Sequence, residues 1–307
     1  MKRFTVLMIF LTFATISVVA QTGDWRRYRH EFVFGAGTAA FMGDLGGGKG
    51  VGTHFVKDFD IQANRWAFMA GYGYKLTDRF ALRTAVYYGR VFGNDEFTPE
   101  PARNGRNLNF RSPIIELSEV VEFSIIREKF GYRYNSKHAR KMKSTPNLYI
   151  FAGVGGFYFN PRAQYLPVDA NGNPDESNPN YGKWYSLQPF GTEGQGYVST
   201  RKKYSRIQMS IPFGVGINCM VTKSWGIGAD FGFRYTLTDY IDDVSSTYVS
   251  PDIFEDEVAS YFSNPASKYQ VGPGEQRGDS KWNDAYMFLT IKVTYKLFSN
   301  SRGRSKF

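Results

Sequence analysis

After its first thirty residues, the chain alternates between apolar positions and polar or small positions over long stretches. The clearest run covers 207–219, where odd positions carry Ile, Met, Phe, Val and Cys while even positions carry Gln, Ser, Pro, Gly and Asn. Similar runs cover 225–237 and 287–297. Successive side chains of a β-strand point to opposite sides, so each run predicts a strand with one apolar face.

The whole sequence contains eight such runs, which predict eight strands. Their ranges are 31–42, 65–75, 79–92, 113–126, 147–159, 205–219, 224–238 and 285–298. Soluble strands usually have about 5–6 residues, whereas a tilted strand that crosses a bilayer needs about 9–11. An open sheet edge in lipid would leave N–H and C=O groups unpaired, so the strands must close. We therefore predict an all-β fold, an eight-stranded antiparallel transmembrane β-barrel with long outer loops.

The connections between the predicted strands alternate in length. Residues 76–78 and 220–223 are short links, whereas 43–64, 93–112, 160–204 and 239–284 are long. Short periplasmic turns and long outer loops are typical of outer-membrane barrels. This pattern places both termini and the short links on the periplasmic side. The link at 127–146 is then a long periplasmic one, and it is the exception to the pattern.

The first twenty residues have the features of a secretory signal peptide. A basic start, Met1-Lys2-Arg3, precedes an apolar stretch and a small residue before Gln21. We expect a signal peptide at 1–20 and an outer-membrane barrel domain at 21–307, with a membrane anchor as the alternative. Export to the cell outer membrane argues against ATP, NAD and nucleic acid as ligands, and we expect no cofactor.

Composition excludes several other classes of protein. The 307 residues include 32 Gly, 21 Tyr, 27 Phe and a single Cys. Low-complexity disorder lacks aromatic residues, and one Cys rules out a disulfide framework. Past residue 20, no stretch approaches the roughly 18 consecutive apolar residues of a membrane-spanning helix.

The polar faces of the strands carry charges that would lie inside the barrel. An eight-stranded barrel is just wide enough for side chains to fill it. The inward set is Arg83, Glu116, Glu122, Asp230, Arg234 and Lys292. Matching depths predict two interior pairs, Arg83 with Glu122 and Asp230 with Lys292, because a buried charge needs a partner. We interpret them as structural; a catalytic or ion-conducting site is the alternative.

Two strands depart from the simple pattern. Glu119 falls on the otherwise apolar face of the fourth strand, which a bulge, a protonated acid or a protein partner would each explain. The fifth strand is apolar on both faces, and we assign Gly153 and Gly155 to the inward face.

Signals for enzymatic chemistry are weak. The three histidines, His30, His54 and His138, have no second ligand at hairpin or helical spacing, and Gly46–Gly48 lacks the Lys-Ser/Thr of a P-loop. Loop 239–284 is acidic, but without EF-hand spacing we expect it to be solvated and not a calcium site. It carries Asp239, Asp242, Asp243, Asp252, Glu255, Asp256 and Glu257. We expect no enzyme, no catalytic residue and no metal ligand.

The periplasmic rim is predicted to be basic. The 127–146 link, which we call the basic turn, carries Arg127, Lys129, Arg133, Lys137, Arg140, Lys141 and Lys143 against Glu128 alone. Arg26, Arg27 and Arg29 and the tail Arg302, Arg304 and Lys306 lie on the same predicted side. An acidic periplasmic protein and anionic lipid are the candidate partners; simple solubility of a mobile turn is the alternative. Interleaved Phe130, Tyr132 and Tyr134 favour a docking surface.

Several segments together resemble one family. They are Gly43–Gly46, Arg106–Ser112, Phe151–Gly155 with Tyr158–Pro161, Leu187–Gly196, Ile211–Gly216, Thr238–Ser245 and Arg277–Asp279. In order and number they are similar to the PorG-like outer-membrane barrels associated with the type IX secretion system. The resemblance covers nearly all of the chain that follows the predicted signal peptide.

The resemblance implies a non-enzymatic barrel that links the machinery's periplasmic ring, built from a lipoprotein and a partner protein, to the outer membrane. On that basis the basic turn would be the partner-binding segment, and the motifs in outer loops would build a packed cap or meet the secretion channel. A small pore or ligand-binding barrel is the first alternative. A lipid-modifying barrel enzyme, with a Ser or His at the lipid-facing rim, is the second.

Overall fold

The computed structural model describes residues 24–45, 63–97, 101–131, 143–169, 173–266 and 271–298. The expected signal peptide, the Gly46–Gly48 stretch and the basic tail after 298 lie outside the described residues. His54 and His138 lie outside them as well.

Eight long strands form one closed antiparallel barrel, as the alternation predicts. The strands are β1 (His30–Met42), β2 (Arg65–Lys75), β3 (Phe80–Asn94), β4 (Asn109–Ile126), β5 (Asn147–Phe159), β6 (Ile207–Met220), β7 (Trp225–Thr236) and β8 (Ala285–Leu297). Each strand pairs with its neighbour in sequence, and β8 pairs with β1 to close the barrel. Closure pairs the backbone groups that an open sheet edge would leave without partners.

Side chains alternate along the strands between the barrel interior and its outer surface. On β6, for example, Ser210, Pro212, Gly216 and Asn218 are buried, while the odd-numbered residues from Ile207 to Cys219 are exposed. The exposed face is apolar. It carries Phe34, Trp66, Phe68, Val86, Ile115, Leu117, Val154, Met209, Val215, Ile227, Leu289 and Ile291. Gly155 is buried, and Gly153 pairs with the inward-facing Val120 of β4, so both lie inward as expected.

The fourth strand is longer than the pattern predicts. It begins at Asn109 and not at residue 113, because Asn109 to Ser112 continue the pairing with Asn94 to Val91 of β3. Pro113 interrupts the alternation in the sequence, yet it lies inside the paired strand. The other barrel strands begin and end within two residues of the predicted bounds.

The two ends of the barrel differ. One end holds the short links after β2 and β6, the chain segment before β1 and the end of β8. At the same end, short strands at Lys129–Gly131 and Lys143–Thr145 pair with each other and extend the β4–β5 hairpin. We call this the turn end.

The opposite end, the cap end, is covered by the long connections. Among the described residues of this end, two helices occur, α1 (Pro101–Arg106) and α2 (Glu257–Ser263), with 3₁₀ turns at Asp95–Phe97 and Pro251–Ile253. Asp256 caps α2 by accepting a hydrogen bond from the Val258 N–H at 3.1 Å. Within the described residues no helix combines the length and apolarity needed to cross a membrane.

Candidate functional site

The centre of the barrel interior holds a network of buried charges. The Nε atom of Arg83 lies 2.8 Å from Glu122 Oε1, and the Nζ atom of Lys292 lies 3.0 Å from Asp230 Oδ1. The structure thus brings together both pairs that the sequence predicts. Arg83 Nη1 also contacts Asp230 Oδ2 at 2.5 Å, which joins the two pairs into one network across the interior.

Tyr149 of β5 completes this network, and sequence reasoning missed it. Its hydroxyl group contacts both the Asp230 carboxylate and the Lys292 ammonium group. The Arg83 guanidinium carbon lies 5.1 Å from the centre of the Phe151 ring. Tyr149 sits in a run that is apolar on both faces, so only its odd position in β5 would have indicated that it points inward.

A second layer lies nearer the cap end. Arg234 Nε is 3.3 Å from Glu116 Oε2, and the Tyr286 hydroxyl donates a hydrogen bond of 2.6 Å to the same oxygen. The Arg234 guanidinium carbon is 4.6 Å from the ring centres of both Tyr87 and Phe288, within range of a cation–π contact. Each of the six inward charges therefore has an oppositely charged partner.

A third layer closes the turn end. Lys296 of β8 contacts Glu128, and Lys75 of β2 lies 3.9 Å from the same carboxylate. The alternation of β8 places Lys296 inward. Glu128, however, lies beyond the end of β4, where alternation no longer indicates a direction.

The interior is filled by these layers. A cavity of about 20 Å³ remains at the turn end, lined among others by Glu31, Lys75, Glu122, Tyr149 and Lys292. A space of this size accommodates about one water molecule. The arrangement can hold buried charges in fixed positions, and it leaves no wide passage among the described interior residues.

The basic turn is only partly described. Arg127 forms a salt bridge with Asp78 of the β2–β3 link. Lys129 and Lys143 lie on the paired short strands of the turn end. Arg133, Lys137, Arg140 and Lys141 lie outside the described residues.

Other basic residues lie at the same end of the barrel. Arg26 and Arg27 are exposed. The guanidinium carbons of Arg26 and Arg29 lie 5.5 Å and 4.9 Å from the Trp25 ring centre. His30 contacts the Tyr72 hydroxyl at 2.5 Å and is the one histidine within the described residues.

Glu119 is exposed on the outer face of β4, as the pattern indicates. Its pairing with Thr84 of β3 and Val154 of β5 belongs to continuous registers, and the irregularity of β4 lies between Ser124 and Ile126. A bulge at Glu119 is therefore excluded. The Thr84 hydroxyl donates a hydrogen bond to its carboxylate.

The motifs that are distant in sequence meet in the cap. Arg277 Nη1 donates a hydrogen bond of 2.7 Å to Thr192 Oγ1, which in turn donates to Asp243 at 2.5 Å. The Glu193 carboxylate accepts from the N–H of Ser245 at 2.9 Å and lies 3.8 Å from Arg277. These contacts connect the Leu187–Gly196, Thr238–Ser245 and Arg277–Asp279 segments into one packed unit.

Two further motif segments join the same unit. Arg106 donates to the backbone oxygens of Arg277 at 2.8 Å and Asp44 at 3.1 Å, and it forms a salt bridge with Asp95. The Asp279 N–H donates a 2.7 Å hydrogen bond to Asp44 Oδ2. The sequence left two possibilities for these motifs, a packed cap or contact with the secretion channel. The described residues form a packed cap.

Three of the acids that were expected to be solvated in the 239–284 loop are buried, which corrects that expectation. Asp239, Asp242 and Asp243 are at most 8% exposed, because the segment packs beneath the other connections. Asp252, Glu255, Asp256 and Glu257 are exposed, as expected. In the described part of the chain, no three His, Cys, Asp or Glu side chains are arranged to hold a metal ion.

Burial and mutual repulsion shift the titration of these acids. Burial raises the pKa of Asp239 to about 8, and the negative charges of Asp44 and Glu193 add to the effect. The pKa of Asp242 is well above its usual range for the same reasons, with repulsion from Asp44 and Asp239. Burial and the nearby charge of Asp242 also raise the pKa of Asp284 well above its usual range. Protonated carboxyl groups are therefore favoured in this part of the cap.

The barrel is similar to solved structures of small outer-membrane proteins. Ail, the attachment invasion locus protein of Yersinia pestis, solved with the heparin analogue sucrose octasulfate, is 10% identical, with a TM-score of 0.37 over 88% of this chain and 99% of Ail. Outer membrane protein AlkL in DMPC bilayers is 9% identical, with a TM-score of 0.34 over 93% of this chain and 97% of AlkL. Outer Membrane Protein W of E. coli is 14% identical, with a TM-score of 0.31 over 88% of this chain and 98% of its own.

At these identities and TM-scores, the likenesses say nothing about a ligand or partner of this chain. No curated protein matches the sequence. A family model described as a domain of unknown function, DUF6089, matches residues 3–180, which is more than half of the chain. The chain therefore belongs to the DUF6089 family, and it folds as a closed eight-stranded β-barrel.

Proposed function

We propose that this chain is a non-enzymatic outer-membrane barrel that acts as a structural or accessory component of the type IX protein secretion machinery. In this role it anchors or contacts the periplasmic ring, a lipoprotein and its partner protein, through the basic turn. The observation that carries the proposal is the position of the turn: its base is a paired hairpin at the barrel end that also holds the chain segment before β1.

The membrane location is supported by the outer surface of the barrel. An apolar side chain exposed on a soluble protein would cost free energy, and contiguous apolar patches of soluble monomers rarely exceed a few hundred Å². Here exposed apolar side chains occur on all eight strands, among them Phe34, Phe68, Val86 and Leu117. A closed barrel with an apolar exterior matches the requirements of lipid, where each backbone polar group must be paired internally.

The docking role is supported by charge and by geometry. The described base of the basic turn continues the β4–β5 hairpin at the turn end, with Lys129 and Lys143 on its paired strands. Exposed Arg26 and Arg27 add to the positive charge of the same end. Positive potential concentrated at one end attracts an acidic partner and increases its association rate.

A structural role is supported by the filled interior. The six charges of the two inner layers are all paired within the barrel, and the largest of the side chains involved, Arg83 and Arg234, are each 1% exposed. Buried pairs of this kind hold a barrel in one arrangement, since separating them would leave uncompensated charges. A pore is the alternative. Single-channel conductance of the purified barrel in planar bilayers above the bare-bilayer background would favour it.

The proposal is tested by reversing charge on the turn. In the Lys137→Glu, Arg140→Glu and Lys141→Glu triple variant, we expect loss of co-purification with the periplasmic ring from intact cells. A matched control reverses three exposed lysines at the cap end, Lys183, Lys202 and Lys281, and should keep ring association. Equal ring association in both variants would remove the basic turn from the mechanism.

A further inference from the structure

Three arginines lie together on the outside of the barrel near its cap end: Arg90 on β3, Arg111 on β4 and Arg162 just after β5. We call them the arginine patch. Arg111 and Arg162 are paired across the sheet, and Arg90 pairs with Pro113, two residues from Arg111. Arg111 is close enough to Arg90 and Arg162 to be repelled by both. Like charges at short range raise the free energy of the site unless an anion neutralises them.

No acid neutralises this patch from within the described protein. Every arginine of the interior network forms a salt bridge with a carboxylate, whereas none of the salt bridges among the described residues involves Arg90, Arg111 or Arg162. Arg90 and Arg111 contact aromatic residues instead. The Arg111 guanidinium carbon lies 3.6 Å from the Trp184 ring centre, and Arg90 Nε donates to the Tyr88 hydroxyl at 3.4 Å.

The depth of the patch identifies the layer of the membrane that it faces. Tyr88, Ile115, Tyr158 and Ile207 are paired in one row across four strands. Aromatic residues of a barrel surface mark the boundary between hydrocarbon and headgroups. Arg90 and Arg111 lie beyond this row toward the cap end, two residues from Tyr88 and four from Ile115. In the orientation of the proposed function, this is the headgroup layer of the outer leaflet.

We propose that the arginine patch binds the phosphate groups of a phosphorylated glycolipid of the lipid A type in the outer leaflet. The planar guanidinium group donates two parallel hydrogen bonds to a phosphate, which an ammonium group does not. The Trp184 ring holds Arg111 in place, so that less side-chain freedom is lost on binding. The apolar surface below the patch, at Ile115 and Leu117, would receive the acyl chains.

The position of the patch selects this ligand over a soluble phosphate. Arg90 and Arg162 are exposed on the outer wall of the barrel, not in a closed pocket. A ligand held there must tolerate contact with hydrocarbon on one side and water on the other. The inference rests on the membrane location in the proposed function and is independent of the secretion role.

The test measures lipid binding by the purified full-length barrel in nanodiscs that contain hexa-acylated, bis-phosphorylated lipid A. The Arg90→Gln, Arg111→Gln, Arg162→Gln variant removes three charges near the membrane surface. At about 1 kcal/mol per charge, we expect roughly 100-fold weaker binding. The matched control, Arg26→Gln, Arg27→Gln, Lys223→Gln, removes three exposed charges at the turn end and should bind as the unchanged chain does.

Further arms separate phosphate recognition from general attraction. Dephosphorylated lipid A should bind no better to the unchanged chain than to the triple variant, and inorganic phosphate should not compete at millimolar concentration. Arg111→Lys keeps the charge and the fold but loses the planar donor pair, and it should also bind lipid A more weakly. It serves as the second variant should the triple variant not migrate as a folded barrel in unheated gels.

Equal lipid A binding by the triple variant and its control would overturn the proposal, as would equal binding of the dephosphorylated lipid or competition by inorganic phosphate. These results would leave ring co-purification untouched. Loss of ring association after reversal of the basic turn therefore tests the secretion role separately.

Discussion

The hydroxyl group of Thr84 donates a hydrogen bond to the carboxylate of Glu119 on the outer, lipid-facing side of the barrel. The two residues are directly paired on β3 and β4. The hydrogen bond gives the one acid in the middle of the apolar β4 surface a polar partner within the same chain. It lowers the free energy of placing that acid in lipid but does not abolish the cost.

Replacement of Glu119 by Leu should therefore stabilise the barrel. We expect an increase in the free energy of unfolding of about 1–2 kcal/mol, because a charged residue in the middle of a barrel's lipid face is destabilising. Urea-induced unfolding in lipid vesicles measures it. Thr84→Val, with Glu119 kept, should shift the midpoint in the opposite direction. A destabilised Glu119→Leu variant would contradict this explanation.

Removal of the central interior carboxylate should destabilise the barrel strongly. Asp230→Asn leaves Arg83 and Lys292 buried with only Glu122 to compensate them. Breaking a buried ion pair on one side costs about 3–5 kcal/mol. Unfolding in urea, followed by tryptophan fluorescence, measures the loss. The Asp230→Asn, Lys292→Met double variant should recover part of the stability, since it also removes one of the uncompensated charges.

Adding a methyl group next to the same network should also destabilise the barrel. A Cβ atom at Gly216 would lie 2.3 Å from Tyr149 Cζ and 2.4 Å from Asp230 Oδ1, so Gly216→Ala must displace both side chains. Overpacking of this kind typically costs about 1–3 kcal/mol. Gly156→Ala is the matched control, because a Cβ atom on this outward-facing glycine meets nothing within 4 Å. Equal thermal stability of the two variants would show that the network is not tightly packed.

The cap should be more stable at acidic pH than at alkaline pH. Folding raises the pKa of Asp239 from 3.8 to about 8 and that of Asp243 to about 6. A folded state that binds more protons than the unfolded state is stabilised at low pH. The contribution is complete below about pH 4 and is lost as the pH rises through about 8.

Hydrogen exchange of the cap amides at pH 5 and pH 8.5, corrected for the intrinsic rates, measures this dependence. Protection should decrease at the higher pH. Asp239→Asn, which cannot ionise, should flatten the profile, whereas Asp252→Asn at an exposed position should leave it unchanged. Greater protection at pH 8.5 than at pH 5 would contradict the assignment of raised pKa values.

The sequence by itself determined the strands, their number and the face that each residue occupies. An alternation of period two leaves one choice of face for each residue once the apolar face is assigned to lipid. Counting residues from the turn end placed Arg83 on β3 at a depth similar to that of Glu122 on β4, and Asp230 on β7 at a depth similar to that of Lys292 on β8, so both contacts could be predicted without the long connections. The same alternation placed Glu119 on the outer face of β4.

The tertiary structure decided the contacts across the barrel interior and the burial of residues in the long connections, which the alternation along a strand does not indicate. The contact of Arg83 with Asp230 crosses the interior between strands that are not neighbours, so its distance depends on barrel closure and not on register. Asp239, Asp242 and Asp243 look like solvated loop acids in the sequence, because long connections have no periodicity that distinguishes buried from exposed positions. Only the convergence of five distant segments in the cap removes these carboxyl groups from water, and their pKa values rise for that reason.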